Sequence, residues 1–327
     1  MNESKQVLNY FITGGTGLLG SFMIEKLLSE GHKVKALVRP STLEKLDKSK
    51  IPSNLEYVEG QLSDYDLLVD ELRTSDNVIH AAGLVSYSDK LSTLLETNVQ
   101  GTATIVNAAL EAKVKRFCHI SSIATLNESK DKITENSKWE YDENTSHYAL
   151  SKYKAELEVW RGIAEGLSAF MVNPSVILGI GDTTRSSLKL IKHVQDQKPF
   201  YPIGTFNYVD VRDVIEMTYT LIQSDIVSER FILNAGKTSY KSFFESLATA
   251  MNKKAPKMGI SPTVLEKLRI LDGIRCRLLG GKRFITKPMI NSLKKDNFYE
   301  NQKAINFTNH KFRELSDTID WIAATQV

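Results

Sequence analysis

Residues 147–158 read HYALSKYKAELE and place Tyr148 and Lys152 four positions apart in a helix-like stretch. Residues at i and i+4 share a helical face, so the phenol and the ammonium can converge on one point. A tyrosine ordinarily titrates near ~10, and a neighbouring cation favours the phenolate. The pair is therefore expected to supply a phenol acidic enough to donate and accept a proton. A surface Tyr–Lys pair on an amphipathic helix has the same spacing, and spacing alone favours that reading until the rest of the chain is considered.

A second group of residues could hold a phosphate. TGGTGLLG (13–20) contains Gly15, Gly17 and Gly20 in GxGxxG spacing, and Gly14, Gly17 and Gly20 in GxxGxxG spacing. Glycines there permit a tight turn and let backbone N–H groups approach a pyrophosphate at a helix N-terminus. With Thr16, Leu18 and Leu19 completing the turn, the stretch reads as a dinucleotide-binding loop rather than a structural one. The next strand-like run ends in ALVRPST, with Arg39 where NAD-selective sites usually carry an acid, and with no acid before Glu44. A guanidinium suits a 2′-phosphate, so NADP(H) is the preferred cofactor. NAD(H) is also accommodated if Arg39 only stacks on the adenine.

Both groups need elements that carry them to one place. β-prone runs at 7–13, 32–38, 54–60, 77–83, 114–122 and 167–179 alternate with helical stretches, among them 17–30 and 91–113. Such alternation predicts a doubly wound α/β Rossmann-type parallel sheet, with ligands at the carboxyl ends of its strands. After Pro174 the rhythm breaks. Residues 206–225 and 230–236 read as a further helix and strand of the first unit. The expected division is a cofactor domain of 1–178 and 207–236, and a smaller C-terminal substrate lobe of 179–206 and 237–327.

Composition narrows the classes. At 42% hydrophobic and 25% charged residues the chain is ordinary globular material, and a net charge of +3 does not suggest a nucleic-acid surface. Cys118 and Cys276 lie far apart, Cys118 in an apolar run, so no disulfide framework is indicated. No CxxC or HExxH spacing points to a metal. MNESKQVLNYFITGG lacks the succession of a signal peptide, and no apolar run has transmembrane length, so a cytoplasmic protein is expected.

Taken in order, TGGTGLLG, HAAG (80–83), NVQGT (98–102), ISS (120–122), YALSK (148–152), NPSVILGIGD (173–182) and YVDVRDV (208–214) resemble the extended, epimerase-like branch of the short-chain dehydrogenase/reductase superfamily. The resemblance runs over about residues 7–236. It implies Tyr148 as general acid/base, and Lys152 as the residue that lowers its pKa and holds the nicotinamide ribose. Ser122 is implied as the hydrogen-bond partner of the substrate oxygen, with Ser121 structural and Thr125 a helper. Asn98 is implied either in a polar relay or in bonding backbone where two helices meet. Further cofactor contacts are implied at Gln61 and Leu62, at Ala81, Ala82 and Gly83, and at Pro174, Ser175 and Val176. The branch often reads GDL after the third strand where this chain reads GQL, which alters one adenine contact. Ile123 and Ala124 replace the acidic pair of sugar-nucleotide dehydratases, which argues against dehydration.

The implied chemistry is reduction of a ketone or aldehyde, or oxidation of the matching alcohol, through Ser122, Tyr148 and Lys152. The dihydroflavonol-4-reductase and 3β-hydroxysteroid dehydrogenase group is the nearest in pattern. A sugar-nucleotide epimerase holding NAD is the alternative, and a non-catalytic NAD(P) sensor a third reading, disfavoured because Tyr148 and Lys152 are both kept. The partner is a small molecule, no nucleic acid is expected, and a homodimer is compatible. Specificity is expected in 84–88, 126–147 and 179–206. The stretch 263–283 mixes Val264, Leu268, Leu271 and Leu278 with Lys267, Arg269, Arg275 and Arg277. It reads as a substrate-lobe helix with a solvated basic face, interrupted at Gly273, in preference to a membrane-contacting one.

Overall fold

A computed structural model describes residues 6–126, 132–141, 145–183, 186–281 and 283–326. The N-terminal residues 1–5 and parts of the expected specificity segments (127–131, 142–144 and 184–185) lie outside the described residues, as does Lys282.

Seven strands form one sheet: β1 (Asn9–Thr13), β2 (Lys33–Val38), β3 (Leu55–Glu59), β4 (Asn77–His80), β5 (Arg116–Ile120), β7 (Ala169–Pro174) and β11 (Glu229–Leu233). Their order is β11-β7-β5-β4-β1-β2-β3, and every pairing is parallel. The chain reverses its direction of growth between β1 and β4, which is where such sheets open a crevice. Tyr10, Phe11 and Ile12 of β1 are fully buried, as a central parallel strand with both faces covered requires.

Helices α1 (Leu18–Ser29) and α8 (Val211–Ile222) pack on one face. Helices α3 (Tyr65–Leu72), α5 (Gly101–Ala112) and α6 (His147–Ala164) cover the other, while α2 (Pro40–Leu43) and α4 (Leu91–Leu94) are single short turns. The expected helix over 91–113 is α4 and α5 joined by a π-helical turn, Leu95–Gln100.

Residues 206–210 do not begin the expected helix, which starts at Val211, and they stay outside the main sheet. They belong to β10 (Thr205–Asp210), which lies parallel to β8 (Val176–Leu178) and antiparallel to β12 (Gly236–Ser239). Pro174 and Ser175 carry the chain out of β7 into β8, so the main sheet ends with β11. Phe206 and Tyr208 of β10 then join α7 (Lys189–Gln195), α9 (Tyr240–Ala250) and α13 (Leu315–Gln326) in a second core. Two further ladders pair β9 (Phe200–Pro202) with β13 (Met258–Ile260), and β6 (Lys132–Ile133) with β14 (Phe298–Tyr299). Helix α10 (Pro262–Leu279) continues through Gly273 without a break and packs on α11 (Lys287–Lys294). One glycine costs a helix only ~1 kcal/mol, and the Ser261 cap and the packing of Leu265 offset it. Helix α12 (Gln302–Thr308) returns to the main core through Ala304.

Candidate active site

All the predicted site residues except Asn98, Tyr148 and Lys152 lie just past the carboxyl ends of parallel strands. The glycine loop follows β1, Arg39 follows β2, and Gln61 and Leu62 follow β3. Ala81–Gly83 follow β4, Ser121 and Ser122 follow β5, and Pro174–Val176 close β7 and open β8. One edge of one sheet therefore gathers residues more than 150 positions apart.

The loop is built for close backbone approach. Gly14 has φ +75°, and a Cβ there would stand 2.6 Å from Ala82 N. A Cβ on Gly20 would collide with the Gly14 carbonyl. No side chain caps the first turn of α1, leaving its N–H groups to a ligand. Ser121 Oγ and Ser175 Oγ are buried without a protein partner among the described residues. A cradle of glycines, an uncapped helix start and unpaired hydroxyls fit a dinucleotide. Arg39 is exposed at the end of β2, beside the start of α2.

Tyr148 begins α6, whose first turn is capped by the Ser146 hydroxyl accepting from Ala149 N at 3.0 Å. The Ser122 side chain lies near its phenol, and Ser122 Oγ accepts from Ala124 N at 3.2 Å. Burial, then the phenol of Tyr87, push the Tyr148 pKa up, while the nearby Ser122 hydroxyl lowers it. The expected acid shift is thus reversed: desolvation of a phenolate dominates, and the Lys152 ammonium, held by Ile120 O and His119, is not among the groups that lower it. The Tyr87 ring, half exposed, stands 5.9 Å from that of Tyr148. Burial and the same Tyr87 raise Tyr240 and Tyr299 to about 12.

Lys152 is 5% exposed and donates to Ile120 O at 2.8 Å, with His119 Nε2 at 3.3 Å. Burial lowers its pKa to about 8, partly opposed by the carboxylate of Glu156. His119 is paired in register with His80 on β4, and the rings stack at 5.2 Å. Burial and then the Lys152 charge lower His80 to about 3 and His119 well below its ordinary range. His80 is thus neutral, and its bonds fix the tautomer. Ala82 N donates to Thr13 Oγ1 (3.2 Å), which donates to His80 Nδ1 (2.7 Å). His80 Nε2 then donates to Thr102 Oγ1 (3.0 Å), which donates to Asn98 O (2.6 Å).

Of the two roles open for Asn98, its contacts are those of the second. Its Oδ1 accepts from Leu84 N (2.7 Å), and its Nδ2 donates to Leu84 O (3.1 Å) and Ser151 Oγ (2.9 Å). Thr125 is turned away from the cleft, donating to Glu156 Oε1 at 2.8 Å and accepting from Asn173 Nδ2 at 2.9 Å. Glu156, 1% exposed, also accepts from Asn173 at 2.6 Å and pairs with Arg230 at 3.4 Å. Glu156, His80 and His119 were not foreseen. Glu156 had a visible signal, since it repeats the four-residue step of Tyr148 and Lys152 along one helical face. The histidines had only their places at the ends of two strands.

Residues 10–236, more than half of the chain, match the NAD dependent epimerase/dehydratase family. The chain belongs to that family. It is 29% identical over 262 residues to a putative dihydroflavonol 4-reductase of Synechocystis sp., covering 76% of this chain and 74% of the relative. It is 30% identical over 240 residues to cinnamoyl-CoA reductase 1 of Arabidopsis thaliana, covering 68% and 69%. Among solved structures, gox2253 superimposes with a TM-score of 0.81 at 28% identity over 96% of both chains. UDP-glucuronic acid 4-epimerase from Bacillus cereus, solved with NAD, shares the fold at a TM-score of 0.76 and 17% identity, covering 97% and 98%. The family and these relatives make the chain an NAD(P)-dependent enzyme of the extended short-chain dehydrogenase/reductase type. Among the described residues no group of three His, Cys, Asp or Glu could hold a metal ion, and no helix is long and apolar enough to cross a membrane.

Proposed function

We propose that this protein is an NADP(H)-preferring carbonyl reductase, in which Ser122, Tyr148 and Lys152 act on a ketone or aldehyde. The observation that carries the reading is the Tyr148 phenol placed near Ser122 at the carboxyl edge of the sheet, one helical turn from a buried lysine. A bound nicotinamide supplies the hydride. Tyr148, which burial keeps protonated at neutral pH, gives its phenolic proton to the carbonyl oxygen as charge grows there. Ser122 donates a second hydrogen bond to the same oxygen. Lys152 provides the positive charge that stabilises the phenolate left behind, and its fixed position under the site suits a ribose contact. Alcohol oxidation runs these proton movements in reverse. The unit 1–178 with 207–236 would hold the cofactor, and 179–206 with 237–327 would shape the substrate space.

The relatives' names suggest aromatic carbonyl compounds as first substrates to try. NADPH consumption is to be followed with dihydroflavonols, cinnamoyl-CoA, simple ketones and aldehydes, beside UDP-sugars. Tyr148→Phe should lower kcat by ~10²–10⁴-fold while leaving the cofactor Kd nearly unchanged, since only the proton-carrying oxygen is lost. Near-normal turnover in that variant would remove Tyr148 as the acid. Tightly retained NAD with interconversion of UDP-sugars would replace the reductase reading with the epimerase one.

A further inference from the structure

Helix α10 turns an apolar face outward. Its inner side is fixed, with Leu265 packed on Ile290 and Leu293 of α11 in a cluster that also touches Tyr240. The turn after α10 is held by Asp272, which accepts from Phe284 N (2.7 Å), Ile285 N (3.1 Å) and Arg275 Nε (2.9 Å). Opposite this anchored side, Ile270, Leu271, Ile274 and Leu278 are 51–76% exposed, and Leu279 and Phe284 extend the patch at 81% and 74%. The positions 270, 271, 274 and 278 share one helical face. Single exposed apolar residues are ordinary on a protein surface, but a contiguous row marks a contact.

The charge around the row selects the contact. Lys267, Arg277 and Arg283 are exposed beside it. Residues 262–295 hold nine Lys or Arg and two Asp or Glu, net +7, in a chain of formal net charge +3, so all other residues together are net −4. A second copy docking face to face would bring two such basic segments together. A nucleic acid would meet the charges but leave the apolar row in water. An anionic bilayer meets both, with apolar side chains entering the acyl boundary and cations facing the headgroups.

We propose that the outer face of α10 seats the protein in the interfacial plane of an anionic lipid bilayer, as a peripheral contact. The full chain is to be co-sedimented with large unilamellar vesicles of phosphatidylcholine alone, or containing about 30 mol% phosphatidylglycerol. Binding to the anionic vesicles should be at least about tenfold tighter and should weaken as salt is raised. The double variant Leu271→Glu, Leu278→Glu alters only exposed side chains, so it should keep its far-ultraviolet spectrum and NADPH affinity while losing vesicle binding. Equal or absent sedimentation with both vesicles would overturn the proposal. So would full binding by the folded double variant, or a wild-type dimer in sedimentation velocity that the same substitutions dissociate.

Discussion

Lys152 sits among a carbonyl, an imidazole and apolar side chains, and that setting makes its charge dependent on pH. Its pKa falls from 10.5 to about 8 on folding, with burial the main cause. Between those two values the unfolded chain holds more protons at this residue than the folded one, so stability contributed here rises with pH across that window. Below about 8 both states are protonated, and the cost of burying the ammonium is felt in full. The difference in unfolding free energy between wild type and Lys152→Met should therefore shift in favour of wild type between pH ~7.5 and ~10, as read by urea denaturation. A constant difference would mean that the ammonium is solvated in the folded protein. Arg39 supplies the other test at this scale. A charge-assisted bond to a 2′-phosphate contributes ~1.5–3 kcal/mol, or at least about tenfold in affinity. Wild type should bind NADPH at least that much tighter than NADH, and Arg39→Asp should invert the order, both read by fluorescence titration. Equal wild-type affinities would leave Arg39 stacked on adenine only. Residue types were the most legible layer of this site. Tyr148, Lys152 and Ser122 announce themselves by motif, but the direction of the Tyr148 shift depends on burial, which no spacing reveals.

At the scale of elements, the π-helical turn Leu95–Gln100 is what delivers Asn98 to both Leu84 and α6. The i→i+5 turn has no residue signature, so 91–113 looks like one uninterrupted helix in sequence. Its consequence is mechanical. Asn98 ties the loop after β4 to Ser151, which itself donates to the Tyr148 carbonyl at 2.8 Å. Asn98→Ala should cost about 1–3 kcal/mol in urea unfolding, because the groups on Leu84 and Ser151 lose their partner. It should lower kcat while leaving the shape of the pH profile intact. A changed profile would point to a proton relay through the amide. The strand–helix alternation was readable because each strand is a short apolar run and each helix an amphipathic one. Strand β10 was not, since it runs without a break into α8 and 206–225 reads as one helix until its ladder with β8 is seen.

Across the whole molecule, the C-terminal segment returns to the start of α8 through buried charge. Asp213 of α8 accepts from His310 Nε2 and Arg313 N, each at 2.9 Å, and pairs with the Arg313 guanidinium. Burial alone would raise its carboxyl, but these bonds outweigh it and hold the pKa down. Thr318 in turn donates to Asp210 at 2.8 Å. YVDVRDV thus carries two acids with partners about a hundred residues downstream, Asp210 being held also by Arg212 two residues on, and only the folded topology defines the distant pairings. The His80–His119 stack is the same kind of fact, fixed by the register of β4 against β5. Local pattern therefore revealed the strands and the motif residues, and tertiary register supplied what surrounds them.

The basic segment at 262–295 has a consequence for how the molecule behaves in an electric field. A net +7 at α10 and α11 against −4 elsewhere gives this near-neutral chain a positive pole at that segment. Such a particle drifts slowly in electrophoresis, where only the sum of charges counts. It is nevertheless turned by any negatively charged surface within about a Debye length, ~8 Å at physiological salt, and arrives there pole first.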